Sequence, residues 1–298
     1  MTGIQTNRNA ENILLPKEIS SQIWQDAQAE SVVMSVANSI ALPGAGIQIP
    51  MITGDPTAAW VGETDEIVVG DSTFSNKSIA GYKIGIIELF SNEFARDLPA
   101  LYGELAKRLP KTIAKAFDST VLHAKTGPGA DFDTLGSGVE SLTLDTTDAY
   151  GDLVAIDTAV TEAGGENTGW VLAPKARSIL LNARDADDRP LLINDIQRQG
   201  GVSALLGTSV RTAPQVYKAK TASEAETLGF AGDWSQTMYG VVEGIEIAKS
   251  TEASVTKGDT VVNLFQRDMF ALRVTAHLGF GVRDKAKIVR VVGAPAGA

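Results

Sequence analysis

Histidine, the side chain best suited to moving protons near neutral pH, occurs in this sequence as His123 and His277 alone. His277 falls at a polar position of an alternating segment, and His123 falls at the end of a long helical pattern. No Ser–His–Asp arrangement can be assembled around either one, and no pair of residues has metal-ligand spacing. The chain contains no cysteine, which excludes thiolate nucleophiles, disulfides and iron–sulfur sites. We therefore predict no catalytic residue, no cofactor site and no metal ligand, and we interpret both histidines as structural.

Two further clusters contain residue types that can bind calcium or nucleotide phosphates, but neither forms a complete binding motif. The aspartates of the stretch 185–190 (DADDRP) could bind calcium, yet Arg189-Pro190 replaces what an EF-hand loop needs. We interpret this stretch as a solvated turn. Gly44, Gly46, Gly127 and Gly129 form neither a Walker A loop nor a dinucleotide-binding fingerprint.

One basic cluster, Lys107, Arg108, Lys111 and Lys115, stands out in an acidic chain. The sequence holds 26 basic and 36 acidic residues, for a formal net charge of −10. Because tight binding of nucleic-acid phosphates requires clustered Lys and Arg, this balance argues against it. We interpret the cluster as a solvated helix face, with the alternative that it faces nucleic acid without gripping it. The most apolar window, Val32–Ile49, is broken by polar residues, proline and glycine, so we expect no membrane span.

The longest element that the sequence predicts is a helix that carries this basic cluster. Apolar side chains recur every three or four residues from Phe94 to Val121, which is the spacing of one helix face. Leu98-Pro99 supplies a start, since proline is tolerated in a first turn, and the stretch 126–129 (TGPG) supplies a stop. We predict one helix over about residues 98–123, roughly 39 Å long. Pro110 lies inside it and is expected to kink it or split it in two.

The sequence pattern of the carboxyl-terminal half predicts strands mixed with shorter helices. Apolar residues occupy every second position from Phe270 to Val282, which predicts a strand with one buried face, and Ile288–Val292 predicts a last strand. Residues 132–144 are rich in Gly, Ser and Thr and are interpreted as a connector. Residues 146–258 alternate helix and strand, with a helix closed by Gly164-Gly165 and another opened by Pro174. This alternation predicts a compact α/β domain.

The segments of the amino-terminal part are less able to form stable structure by themselves. Residues 1–27 predict a polar arm that leads into a short amphipathic helix, and Val32–Ile52 predicts two strands joined by the turn 43–46 (PGAG). Trp60–Phe90 predicts a long two-stranded β-hairpin with its tip near Val69–Asn76. Its centre is charged and rich in Gly and Ser, and an isolated hairpin is only marginally stable in water. We therefore expect something outside its own fold to hold it.

Four stretches, taken in this order and spacing, resemble the tailed-phage major capsid protein of the Hong Kong 97 type. Residues 58–67 (AAWVGETDEI) resemble the start of the family's extended loop, and residues 88–101 (ELFSNEFARDLPAL) resemble the junction of a strand with the spine helix. Residues 169–192 (GWVLAPKARSILLNARDADDRPLL) resemble the strand, proline-led helix and acidic turn of the axial domain. Residues 229–250 (GFAGDWSQTMYGVVEGIEIAKS) resemble the exit from that domain.

The resemblance implies an α+β capsid fold with a discontinuous peripheral domain and the long helix as its spine. The implied parts are an N-terminal arm at 1–27, a peripheral domain at 28–58, 84–145 and 259–298, an extended β-hairpin loop at 59–83, and an α/β axial domain at 146–258. It also accounts for the unsupported hairpin and the polar arm, because both would lie on neighbouring subunits.

The implied function is structural rather than enzymatic. Copies would form hexamers and pentamers that close into an icosahedral shell around double-stranded DNA, held without sequence-specific binding. The protein would belong to the virion, after assembly in the bacterial host cytoplasm, with scaffolding, portal and decoration proteins as candidate partners and with no membrane. The alternative is an encapsulin-type nanocompartment, which shares the fold but encloses cargo enzymes. Encapsulins typically begin with a cargo-docking helix, whereas this sequence begins with a polar arm. A soluble α/β enzyme is the third class, and it would need a deep polar cleft.

The type member of this family is known for an autocatalytic isopeptide bond between a loop lysine and an asparagine, with a glutamate as base. The resemblance makes Lys77 the loop lysine. Alignment on the Phe265-Gln266 pair places Asp268 at the asparagine position and Thr275 at the glutamate position. A carboxylate resists attack by an amine because it is already anionic. We therefore predict a shell held by non-covalent contacts, with Lys77 at most in a salt bridge.

Overall fold

Helices and strands are interleaved along the chain, which gives the mixed α+β composition that the sequence predicts. The computed structural model describes residues 25, 28–54, 56–62, 66–67, 69–92, 98–184 and 204–294. Within these ranges the helices are α1 (Val32–Val36), α2 (Leu98–His123), α3 (Ala149–Glu162) and α4 (Pro174–Leu181). The strands are β1 (Asn38–Ala41), β2 (Ile47–Gly54), β3 (Thr73–Ile79), β4 (Tyr82–Ser91), β5 (Glu140–Leu144), β6 (Gly169–Leu172), β7 (Ala204–Leu205), β8 (Thr208–Thr212), β9 (Thr227–Gly232), β10 (Thr237–Ser250), β11 (Ser254–Lys257), β12 (Thr260–Asn263), β13 (Met269–Val282) and β14 (Ile288–Gly293).

The long helix α2 has the bounds that the sequence predicts, and it runs without interruption. Pro110 does not divide it, so the expectation of two separate helices is wrong. An interior proline removes one backbone hydrogen bond while the flanking ones remain, and the Thr112 hydroxyl donates to the carbonyl of Arg108 at 3.2 Å. A bend at Pro110 stays a prediction.

A four-stranded sheet with the order β1-β10-β13-β4 packs against α2. β13 pairs antiparallel with β10 and with β4, and β1 pairs parallel with β10. The ring of Phe117 on α2 lies 6.3 Å from that of Phe280 on β13, in an edge-to-face arrangement. Ile113 and Val121 extend the same buried cluster along the helix. The part of the predicted apolar stripe whose side chains the structure describes, Ile113, Phe117 and Val121, is therefore on the face that meets this sheet.

β13 is buried over most of both faces, whereas its alternation predicts one buried face. The second face carries small residues, which let other elements lie over it. Ala271 packs with Val262 and Leu264, and a Cβ atom on Gly281 would come within 2.4 Å of the Ile79 side chain. Arg273 lies exposed between these two covered ends.

A six-stranded sheet with the order β5-β14-β9-β6-β8-β7 carries α3 over the β5, β14 and β9 strands. α3 begins after the predicted cap, since the Asp148 carboxylate accepts from the Gly151 N–H at 2.9 Å. Leu153 and Ile156 of this helix are buried with Val291 of β14. β5 lies in the stretch interpreted as a connector, which is corrected here: its pairing with β14 makes it a strand.

Sheet membership crosses two of the domain boundaries that the resemblance implies. β10 lies within the range 146–258, yet it belongs to the four-stranded sheet with β13. β5 and β14 lie within the ranges 84–145 and 259–298, yet they belong to the six-stranded sheet. The assignment of these segments to a peripheral and an axial domain stays a prediction.

The hairpin exists, but its arms are β2 and β3 rather than segments that start at Trp60. The pairing runs from Ile47 opposite Ile79 to Gly54 opposite Thr73, so the predicted tip at 69–76 overlaps an arm. The described residues between the arms, 56–62, 66–67 and 69–72, have no regular structure. β4, predicted as the second arm, instead pairs with β13. Its alternate apolar side chains pack against the core beside α2, which an isolated hairpin would not offer.

Residues 32–36 form the short helix α1 instead of a predicted strand. Ser31 caps it, because its hydroxyl oxygen accepts from the Met34 N–H at 3.1 Å. β-branched valines favour strands, but burial of Val32 and Val33 against the rest of the core overrides that preference.

Candidate assembly surfaces and the Lys77 site

The end of the β2–β3 hairpin presents large apolar side chains to solvent. Trp60 is fully exposed, and Ile67, Val69 and Phe74 expose 77%, 87% and 70% of their surface. Single exposed apolar residues are normal on a monomer, but several on one loop mark an interaction site. The hairpin is therefore the first candidate assembly surface.

The opposite end of the hairpin is fixed to the four-stranded sheet. Ile79 is buried with Leu42 and Met238 in a small core of its own. Lys77 Nζ lies 2.6 Å from Asp133 Oδ2, and the same carboxylate oxygen accepts from the Val282 N–H at 2.8 Å. The hairpin is thus anchored at its root while its apolar end stays exposed.

This salt bridge agrees with the prediction that Lys77 makes at most an ion pair. Asp268 lies in a left-handed turn with φ of 51°, and its carboxylate accepts from the Asn92 side-chain amide at 2.6 Å. Thr275 is buried further along β13, and at about 3.4 Å per residue it lies more than 20 Å along the strand from Asp268. The structure therefore does not bring these two positions together within one chain. The absence of a covalent cross-link stays a prediction.

Asp118 of α2 is a fully buried carboxylate that joins three segments. Its Oδ1 accepts from the Ser31 hydroxyl at 2.6 Å, and its Oδ2 accepts from the Val32 N–H at 2.9 Å. Oδ2 also accepts from the Gln215 side-chain amide at 3.0 Å, which ties in the turn after β8. Burial raises the pKa of Asp118, and the hydrogen bonds from Ser31, Gln215 and the α1 backbone oppose that rise.

His123 belongs to the same junction. Its Nε2 lies 2.9 Å from the carbonyl oxygen of Gln215. Burial lowers the pKa of His123; the bond to Gln215 opposes this, and the positive charges of Lys218 and Arg290 add to the lowering. This bond ties the end of α2 to the turn after β8, and the absence of a catalytic role for His123 stays a prediction. His277 lies on β13, opposite Lys83 of β4 in register.

Neither Asp118 nor Asp133 is among the residues that the sequence patterns single out. A signal for Asp118 does exist, because it lies four residues from Ala114 and from Leu122, which are both buried on α2. An acid in the middle of a buried helix row indicates a buried polar partner. Asp133 lies in a Gly/Ser-rich segment, and nothing in its surroundings distinguishes it.

Ion pairs tie the end of α2 to the segment that leads into β9. The Glu224 carboxylate lies 2.6 Å from Lys125 Nζ and 2.8 Å from Lys218 Nζ. These hydrogen bonds lower the pKa of Glu224 to about 2. Glu226 likewise pairs with Lys175 of α4 at 2.5 Å, which lowers its pKa. The Lys125 pair therefore joins the end of α2 to the segment before β9, and the Lys175 pair joins α4 to that same segment.

The basic cluster on α2 exposes Arg108, Lys111 and Lys115, and Lys111 pairs with Glu30 at 3.0 Å. Exposed pairs of this kind contribute little to stability.

The predicted turn at 185–190 lies outside the described residues. Among the residues that the structure describes, no group of three or more His, Asp or Glu is placed to hold a metal ion. In the same part of the chain, no helix has both the length and the apolar character needed to cross a membrane.

The chain is similar to known proteins along most of its length. Residues 11–293 match the model of the phage capsid family. The chain belongs to the phage capsid family. It is 28% identical over 292 residues to the "Probable major capsid protein gp17" of Mycobacterium phage L5, covering 93% of this chain and 88% of that protein. It is 22% identical over 289 residues to the major capsid protein of Staphylococcus phage 80alpha, covering 93% of this chain and 84% of that protein.

Solved structures share the fold of this phage capsid family member. A chain from Gordonia phage Cozz superposes with a TM-score of 0.73 at 21% identity, covering 89% of this chain and 87% of that chain. The capsid of a native GTA particle computed with C5 symmetry gives a TM-score of 0.68 at 14% identity, covering 99% and 96%. The predicted resemblance and the predicted function as a phage capsid protein are confirmed, and the encapsulin alternative is not favoured.

Proposed function

We propose that this chain is the major capsid protein of a tailed bacteriophage, and that its copies assemble as hexamers and pentamers into an icosahedral shell around double-stranded DNA. The family match across residues 11–293 carries the proposal. The role is structural rather than enzymatic and needs no cofactor, and the shell assembles in the bacterial host cytoplasm before it becomes part of the virion. Scaffolding, portal and decoration proteins are candidate partners. A net charge of −10 suits a shell that encloses DNA without gripping its phosphates.

Each subunit would have a peripheral domain built on α2 and the four-stranded sheet and an axial domain built on the six-stranded sheet. The outline predicted from the sequence is kept, with residues 1–27 as the N-terminal arm. Sheet membership supports moving β10 into the peripheral domain, and β5 and β14 into the axial domain. The extended loop corresponds to the β2–β3 hairpin at 47–79 rather than to 59–83, and α2 serves as the spine.

The hairpin would lie on a neighbouring subunit. Its root is fixed by the salt bridge of Lys77 with Asp133, while Trp60, Val69 and Phe74 at its other end are largely exposed. Full burial of one such side chain contributes about 1.5–3 kcal/mol, so covering several in each of many contacts would stabilise a shell substantially. An anchored root orients the loop and lowers the entropy lost when it docks.

Electron microscopy of the purified full-length chain tests the function, with nucleic acid measured in any particles. We expect closed shells, and DNA inside particles recovered from infected cells. A chain that remains a monomer or small oligomer under all conditions would refute the capsid role, and shells that hold enzymes instead of DNA would support an encapsulin.

A loop variant tests the extended-loop assignment separately. Replacing residues 56–72 by a short Gly-containing turn should leave a folded subunit that assembles poorly, because the exposed side chains of Trp60, Ile67 and Val69 are gone. The matched control keeps the loop length but changes Phe74→Leu, which preserves the apolar surface. Normal shells from the shortened chain would show that the loop does not act between subunits.

A further inference from the structure

The turn between β7 and β8 holds an apolar side chain in a backbone conformation that disfavours it. Leu206 has φ of 48° and Gly207 has φ of 84°, and the flanking residues pair as Leu205 with Thr208. A two-residue turn with both φ values positive favours Asn or Gly at its first position. Leucine is strained there, and its side chain is 43% exposed.

Buried groups hold this strained turn in place. The indole N–H of Trp170, which is fully buried, donates to the Thr208 hydroxyl at 2.7 Å. That hydroxyl in turn donates to the Leu205 carbonyl at 2.8 Å. Strain persists where the surroundings over-determine it, and such positions tend to be functional. Asparagine or glycine would be less strained at this position, so the turn itself does not account for the leucine.

The outer face of α3 offers a matching apolar surface, which we call the α3 strip: Tyr150, Val154, Thr158 and Thr161. Tyr150 and Val154 expose 55% and 39% of their surface. Thr158 donates its hydroxyl to the Val154 carbonyl at 2.8 Å, and Thr161 donates to the Asp157 carbonyl at 3.0 Å. Because both hydroxyls are satisfied within the helix, these exposed threonines offer mainly methyl groups to a partner. The strip itself carries no charge.

The strip and the turn lie toward opposite edges of one sheet. α3 packs over β5, β14 and β9, whereas β7 is the last strand at the other edge. Five strand spacings of about 4.8 Å put the two edges roughly 24 Å apart. A head-to-tail ring requires two different, complementary patches on opposite sides of each subunit. Copies with a net charge of −10 also repel one another. Electrostatic repulsion opposes close packing least where the facing surfaces carry no charge.

We propose that Leu206 of one copy docks on the α3 strip of the next copy, and that this contact, repeated around the ring, closes the capsomer. The inference rests on the proposed function, since it names the partner as a second copy in a capsid ring. It concerns the six-stranded sheet and not the β2–β3 hairpin, so the two surfaces can be tested independently.

The Leu206→Gly substitution separates a role in assembly from a role in folding. Glycine relieves the positive-φ strain, so the thermal unfolding midpoint of the subunit should be unchanged or higher. Loss of the apolar contact should raise the protein concentration needed for assembly by about tenfold or more. The Leu206→Met variant keeps an apolar side chain and should assemble nearly as the wild type does. Val154→Glu should also impair assembly, and combining it with Leu206→Lys should restore it, because each contact would then pair opposite charges.

Disulfide trapping tests which residues meet, and the natural absence of cysteine leaves no background. Leu206→Cys is combined in turn with Tyr150→Cys, Val154→Cys or Thr158→Cys, since a disulfide needs Cα atoms about 4.4–6.8 Å apart. Non-reducing denaturing gels of oxidised assemblies should show a ladder up to pentamer or hexamer for at least one pair. Each single-cysteine variant should run as a single band of one chain on the same gels. If wild-type shells form but Leu206→Gly assembles at the wild-type concentration, or no pair cross-links, the proposal is overturned and the capsid role stands. If the wild type builds no capsomers at all, the proposed function fails and takes this inference with it.

Discussion

Replacing Asp118 by alanine tests whether one buried carboxylate holds the start of α1 and the turn after β8 onto α2. The carboxylate accepts hydrogen bonds from Ser31, from the backbone N–H groups of Val32 and Val33, and from the Gln215 side chain. Alanine removes every one of these acceptors at once. The two backbone donors are the costly ones, because α1 cannot turn them toward another acceptor without unwinding.

The magnitude follows from two opposing effects. A buried donor left without an acceptor costs about 1–3 kcal/mol, so Val32 and Val33 together cost roughly 2–6 kcal/mol. Removing a desolvated charge offsets part of this cost, because burial raises the pKa of Asp118 and so disfavours its ionised form. We expect Asp118→Ala to lower the free energy of unfolding by about 3 kcal/mol, a large share of the ~5–15 kcal/mol typical of a folded protein.

Urea unfolding of the unassembled subunit measures this change, with the fluorescence of the buried Trp170 and Trp234 as the signal. The matched control is Lys115→Ala on an exposed position of the same helix, which should stay within about 0.5 kcal/mol of the wild type. If Asp118→Ala changes stability no more than this control does, the carboxylate does not hold the junction.

The pH dependence of the same measurement has a definite sign. The folded-state pKa of Asp118 is raised above its ordinary value of 3.8. Its stabilising contribution is therefore fully present below that value and is lost as the pH rises through the folded-state pKa. Compared with Asp118→Asn, which does not titrate, the wild type should be relatively more stable near pH ~4 than near pH ~7. An equal difference at both values would contradict the burial argument.

Three further results are expected. Because the pKa of Glu224 is lowered to about 2, its pairing with Lys125 should persist as the pH falls below 4.5 and be lost toward about 2, as carboxyl NMR titration would show. Gly129→Ala should destabilise the subunit by about 1–3 kcal/mol in urea unfolding, since a Cβ atom would lie 2.2 Å from the Tyr82 ring, whereas Gly44→Ala has open space and should be nearly neutral. Denaturing electrophoresis of boiled mature particles should give one band near 31.4 kDa, the mass of one chain, and a ladder would show covalent cross-links.

Elements whose signals are local could be predicted from the sequence. α2 was predictable because its apolar period and its start and stop residues lie within the helix itself, and α3 because Asp148 caps its first turn. The hairpin arms were misplaced because an alternating strand does not reveal its partner. β4 has the same alternation whether it pairs with a hairpin arm or with β13, and only the core beside α2 decides between them.

The candidate sites depend on contacts between residues far apart in the chain, and this limits what their sequence neighbourhoods could show. The salt bridge of Lys77 could be anticipated as a class of contact, but its partner Asp133 lies in a segment with no pattern. Asp118 lies in a buried helix row that marks it as unusual, yet its partners come from residues 31–33 and from Gln215. Leu206 is the extreme case. Its strain is a property of the backbone angle that β7, β8 and Trp170 impose together. Leu206 can therefore be recognised as unusual only in the folded structure, where that angle is seen.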